Sequence, residues 1–180
     1  MCSLKTLIYV FFFTSGMPAL AYQLIWQRVL FRVFGVNMES VTIVVTAFML
    51  GLGIGSLIGS QLAIRRSFAP LLLIAGIEAS IGVFGLCSLH LFDIANHFVQ
   101  DLSFPAQIIT AIGLVFIPTA LMGMTLPLLV GYLIRHSANV GLSTGSLYRA
   151  NTLGAVIGCV VCALFLFPWF GLQMSIWAGP

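Results

Sequence analysis

Charge is what this chain has least of. Seven Lys or Arg and four Asp or Glu are spread over 180 residues. So few ionised side chains cannot clothe a water-soluble surface, and 61% of the residues are apolar. The formal net charge of +3 comes from loop arginines rather than a basic patch, so it gives no footprint for nucleic acid. Cysteine is sparse as well. Cys87, Cys159 and Cys162 lie in apolar runs, where they read as small hydrophobes, and Cys2 stands beside the membrane as an acylation candidate. Cys159 and Cys162 share a helix face, but no His or further Cys accompanies them to make a metal site. His90, His97 and His136 fall at span ends or in loops. A Gly-rich phosphate loop, a metal-ligand cluster and a nucleophile with its base are all missing. No catalytic residue, metal or cofactor is therefore expected. The alternation that marks strands is missing too.

What is present is long, continuous apolar sequence. About 20 apolar residues cross a hydrocarbon core of about 30 Å, and only helices or closed barrels satisfy their own backbone polar groups there. The expected fold is an all-α integral membrane protein of about five transmembrane helices. The spans are expected over Leu7 to Gln27, Val41 to Ile64, Phe68 to Leu91, Pro105 to Ile134 and Leu147 to Leu172. The first runs on into an interfacial piece ending near Gly35. After Gly171, Ile176 and Trp177 read as the start of a sixth span cut off at Pro180. Residues 1–180 are thus expected to form a single polytopic domain, truncated at its carboxyl end, with no soluble catalytic domain. Lys5, Leu7 to Phe13 and Ala19-Leu20-Ala21 mimic an export signal, but apolar character resumes through Leu24, Ile25, Trp26 and Val29, so an uncleaved helix is expected.

Loop charge sets the expected orientation. Lys5, Arg65, Arg66, Arg135 and Arg149 collect on one side, against Arg28 and Arg32 on the other with Glu39, Asp93 and Asp101. Five basic residues against two place the amino terminus in the cytoplasm of a bacterial inner-membrane protein, with the loop from Asp93 to Asp101 outside.

Several residues stand out against this apolar background. Gly51, Gly55 and Gly59 recur every four positions in the second span and predict a groove for close helix packing. Glu78 lies mid-way along the third span, where a carboxylate is costly and marks a candidate cation or proton site. Its neighbours Ala75, Gly76, Ala79 and Ser80 are small, which predicts that this face meets other helices. Pro118 and Pro127 predict kinks in a fourth span that would be about 45 Å long if straight. Tyr22, Gln23, Trp26, Gln27, Arg28 and Arg32 make the outer half of the first span polar. Arg28 and Arg32 either snorkel to the interface or pair with Glu78. Tyr148, Asn151 and Thr152 add polar groups at the head of the fifth span. Glu78, Tyr22, Gln23, Arg28, Tyr148 and Asn151 are the substrate-path candidates, with Tyr22 or Tyr148 as aromatic support for a cation.

Four segments together resemble a known family: Ser15-Gly16 through Ala19-Leu20-Ala21-Tyr22-Gln23 to Trp26-Gln27-Arg28; Ala47-Phe48-Met49-Leu50-Gly51-Leu52-Gly53-Ile54-Gly55-Ser56; Pro118-Thr119-Ala120-Leu121-Met122-Gly123-Met124-Thr125-Leu126-Pro127-Leu128; and Tyr148-Arg149-Ala150-Asn151-Thr152-Leu153-Gly154-Ala155-Val156-Ile157-Gly158. They are similar to the membrane half of bacterial spermidine synthase-like membrane proteins, also described as fused major-facilitator and spermidine synthase proteins. The resemblance implies a major-facilitator-like half bundle. It implies that the spans anchor an aminopropyltransferase-like domain, which would use decarboxylated S-adenosylmethionine and a diamine and is missing from these residues. A polyamine or related small cation is the implied cargo, and other helices of a longer chain are implied partners. Gly59 to Arg66 also resembles the loop after the second span of major facilitators, with Ile64 near the usual acidic position. A stand-alone small-solute transporter or channel-like protein, or the remnant of a truncated gene, are the alternative readings.

Overall fold

The structure is a computed structural model and describes residues 2–34, 38–64, 70–99, 103–134 and 140–164. Among them are five helices and no strand: α1 (Cys2–Phe34), α2 (Met38–Ile64), α3 (Pro70–Val99), α4 (Phe104–Ile134) and α5 (Val140–Val161). Ser103 starts α4, its carbonyl accepting from the N–H groups of Ala106 and Gln107 at 2.9 and 3.1 Å. Residues 162–164, directly after α5, continue it as a π-helical turn. Each helix is long and apolar enough to cross a membrane, over Thr6–Phe31, Val41–Ile64, Pro70–Ser88, Pro105–Ile134 and Thr144–Leu164. The outside of the bundle is apolar too: Leu72 is 77% exposed, Leu86 85% and Ile109 70%. Such a surface suits lipid and would aggregate in water. The chain is an all-helical, multi-pass membrane protein.

Three expected boundaries shift. The interfacial piece after Gln27 is instead a continuation of α1, because Trp26, Val29 and Leu30 bury themselves in the bundle and hold the helix together. The apolar part of the third span ends at Ser88, close to the expected Leu91, but the helix itself does not stop there. The helix runs on through Asp93 and His97 to Val99, and its extension is anchored by buried Phe92. The expected loop at Asp93 is thus a helix end. The fifth helix begins at Val140, seven residues before the expected Leu147, so Tyr148, Asn151 and Thr152 lie well inside it. Residues 165–180, with the expected start of a sixth span, lie outside the described residues, as do Arg65, Arg66, Asp101, Arg135 and His136. The side chains of Cys2, Lys5, Arg32 and Glu39 do as well.

Two helix pairs approach backbone to backbone. Apolar burial gives helices little reason to associate in lipid, so close packing of small residues supplies the attraction. α2 packs on α4 through the predicted glycines. A side chain at Gly51 would strike Thr119, one at Gly55 the backbone of Ala120, and one at Gly59 the Met124 carbonyl at 2.7 Å. Gly123 on α4 returns the fit against Leu52. Gly53, on the other face of α2, meets nothing within 4 Å. The second pair, α1 and α5, uses Gly154 against Phe13, Gly158 against Met17 and Gly16 against Asn151. α3 then packs on α4 and α1.

These contacts fix relative direction. Phe13 and Met17 meet Gly154 and Gly158 in the same order, so α1 and α5 are parallel. Ser15 meets Glu78 and, seven residues on in both helices, Tyr22 meets Gly85, so α3 is parallel to α1. α2 and α4 are likewise parallel to each other.

Two buried clusters fill the bundle. One gathers Ile8 and Phe12 with Ile74, Ile77, Leu128 and Leu147. The other centres on Trp26, with Leu30, Val44, Phe48, Phe92 and Val115. Trp26 is fully buried. It stacks on Tyr22 at 5.6 Å between ring centroids, meets Phe84 edge-on at 5.7 Å and lies 6.4 Å from Phe92.

Candidate functional site: a cavity shared by five helices

Met122 and Tyr22 pack against both clusters. Beside Met122 the helices leave a cavity of about 310 Å³, and every one of the five contributes to its wall. α1 supplies Ser15, Pro18, Ala19 and Leu20; α2 gives Phe48 and Leu52; α3 gives Glu78 and Ile81. α4 adds Met122 and Thr125, and α5 adds Tyr148, Asn151, Thr152, Ala155 and Val156. The volume is at the small end of ligand pockets, which run from about 300 Å³ upward.

The Ser15-Gly16 dipeptide organises the polar side of this cavity. The Ser15 hydroxyl donates to Glu78 Oε1 at 2.6 Å, joining α1 to α3. Next to it, Gly16 has no side chain because the Asn151 carbonyl and carboxamide oxygen occupy that space, joining α1 to α5. One turn of α1 thus brings a carboxylate and a carboxamide from two other helices to the same level. Thr125, on α4, is buried, and its hydroxyl donates to the Met122 carbonyl at 2.7 Å. Tyr148 is 62% exposed and borders the cavity with its ring and phenol available. The remaining wall of Leu20, Phe48, Leu52, Ile81 and Met122 is apolar.

Glu78 faces inward for a different reason from the one its neighbours suggest. Ala75, Gly76, Ala79 and Ser80 are exposed, and Gly76 has open space where a side chain would go. It is Ile74, Ile77 and Ile81 that are buried, and Glu78 shares their side of α3. The bulky residues, not the small ones, mark the packed face.

Glu78, Tyr148 and Asn151 therefore come together as expected candidates, and Tyr22, Gln23 and Arg28 do not join them. Tyr22 is committed to Trp26 and lies with its hydroxyl against Gly85. Gln23 is half-buried and outside the cavity wall. Arg28 is exposed, and it stands thirteen residues along α1 from Ser15. That is about 20 Å of helix, so Arg28 does not pair with Glu78. Pro118 and Pro127 stay inside an unbroken α4 and do not line the cavity; Pro118 is fully buried. Pro18, which does line it, lies inside α1. Ser15 and Thr125 were not anticipated as cavity residues. For Ser15 the available signal was its place beside a glycine in the middle of an apolar helix. No group of three or more His, Cys, Asp or Glu that could hold a metal occurs among the described residues.

Comparison with protein families, curated proteins and solved structures found no match to this chain.

Proposed function

We propose that this chain is the transmembrane module of a spermidine synthase-like membrane protein. In this reading it anchors an aminopropyltransferase-like domain and accepts a small organic cation, of the class that includes polyamines, at Glu78. The supporting observation is the composition of the cavity wall. Every lining residue except Glu78 and Ile81 belongs to one of the four segments that resemble that family. Segments far apart in the chain thus converge on one polar space with a carboxylate in it. A carboxylate within the bilayer is a natural counter-ion for a cation entering from water, and the Tyr148 face adds an aromatic surface for it.

The test is Glu78→Gln, which keeps size and hydrogen bonding and removes the charge. A ligand held at a hundredfold excess over its Kd stabilises the folded state by about 2.7 kcal/mol. Protein in nanodiscs is expected to gain thermal stability with spermidine or with n-hexylamine, and E78Q to lose that gain while remaining folded. Equal responses in parent and variant would leave Glu78 as an interhelical hydrogen-bond partner of Ser15 only.

The orientation follows from the same reading. α1, α3 and α5 are parallel, so their amino ends lie together. Lys5, Arg65, Arg66 and Arg135 fall at or just before those ends in sequence, whereas Arg149, expected among them, lies nine residues inside α5. The positive-inside rule then puts this end in the cytoplasm of a bacterial inner membrane. A cysteine replacing Ser67 is expected to resist an impermeant thiol reagent added to intact cells, and one replacing His97 to react with it. The reverse pattern would invert the topology.

A further inference from the structure

We infer that the Glu78 cavity selects a singly charged amine with an apolar body over diamines and polyamines. This rests on Glu78 being the cation site, and it narrows the class of cation. The argument is a count of charge against the wall that surrounds it. Among the described residues lining the cavity, Glu78 is the only one with a carboxyl group and no basic residue accompanies it. One carboxylate neutralises one ammonium. A second ammonium on the same molecule would be desolvated with no counter-charge, which is the expensive case for a buried ion.

The uncharged polar groups do not change that balance. The Ser15 hydroxyl hydrogen is already directed to Glu78, and the Thr125 hydroxyl hydrogen to the Met122 carbonyl. Asn151, Thr152 and Tyr148 offer oxygens that accept hydrogen bonds from N–H groups, so they can complete the coordination of one ammonium beside the carboxylate. They cannot neutralise another. Phe48, Leu52, Ile81 and Met122 supply an apolar wall that suits methylene groups and disfavours a second charge. The space of about 310 Å³ is large enough for an amine of several carbons.

Isothermal titration of the protein in nanodiscs of zwitterionic lipid tests this, with empty nanodiscs as the blank. The probes share a six-carbon body: n-hexylamine, 1,6-diaminohexane and the neutral n-hexanol, with spermidine beside them. The expected result is that n-hexylamine binds the parent chain at least tenfold more tightly than 1,6-diaminohexane or spermidine. In E78Q its affinity should fall to that of n-hexanol. Equal or tighter binding of the diamine or of spermidine, with loss in E78Q, would overturn the single-charge selectivity and leave the cation site standing. Absence of amine binding to the parent, or undiminished binding in E78Q, would overturn both. The ranking of probes is read on the parent chain, so it does not depend on a variant folding.

Discussion

Replacing Gly55 with leucine is expected to destabilise the bundle by about 3 kcal/mol or more, while the same change at Gly53 shifts it by less than about 0.5 kcal/mol. The two positions are two residues apart on α2 and differ only in what they face. A side chain at Gly55 would run into the Ala120 backbone, which cannot rotate aside as a side chain would. Relief then requires α2 and α4 to separate along their length, which also breaks the fits at Gly51 and Gly59. At Gly53 a leucine enters open space where lipid would lie. Thermal unfolding in nanodiscs, with folded yield as a second readout, compares the two. Equal stability of both variants would mean that α2 does not meet α4 through this stripe.

Trp26→Ala is expected to lose about 3 kcal/mol, the low end for removing a buried aromatic. The low end applies because the unfolded reference is still in lipid, where an indole is not expelled by water, so the loss is packing and cavity alone. Three rings would be left facing the vacancy: Tyr22, Phe84 and Phe92. Trp26→Phe is expected to recover most of that loss. It keeps an aromatic face and removes an indole N–H that has no hydrogen-bond partner among the described residues. An unpaired buried donor carries a penalty of about 1–3 kcal/mol, so its removal offsets part of the lost volume. If the phenylalanine variant were as unstable as the alanine one, the indole nitrogen would have a stabilising role after all.

Helix number and class were legible in the sequence because lipid imposes a single demand, length and apolarity, that residues satisfy locally. The second and fourth spans match the expected Val41 to Ile64 and Pro105 to Ile134. The boundaries that moved are those where tertiary packing, not lipid, decides how far a helix continues, as at Trp26 and Phe92. The stripe of Gly51, Gly55 and Gly59 could be read because its spacing matches a helix face. Gly154 and Gly158 have that spacing too, and their partner on α1 was hidden only because Phe13 and Met17 contribute backbone rather than a recognisable motif. The cavity was half legible. Glu78 announced itself by charge, and Tyr148 and Asn151 by polarity in an apolar helix. Ser15 and Thr125 did not, since a hydroxyl in a membrane helix usually bonds within its own helix, as Thr125 does. Tyr22 and Arg28 were drawn in by residue type alone, and which face of a helix turns inward depends on partners distant in the chain.

The glycine contacts divide the molecule into bodies that keep their internal spacing. α1 with α5, and α2 with α4, are each locked where backbone meets backbone, so neither pair can slide internally without steric collision. Between the pairs the wall is made of side chains, Leu20 and Ala155 on one side and Phe48, Leu52 and Met122 on the other. Side chains can change rotamer where backbones cannot give way. The cavity therefore lies where the two pairs meet through side chains, with α3 bridging them by the Ser15–Glu78 bond and its packing on α4, so its width is set by rotamers rather than by backbone contact.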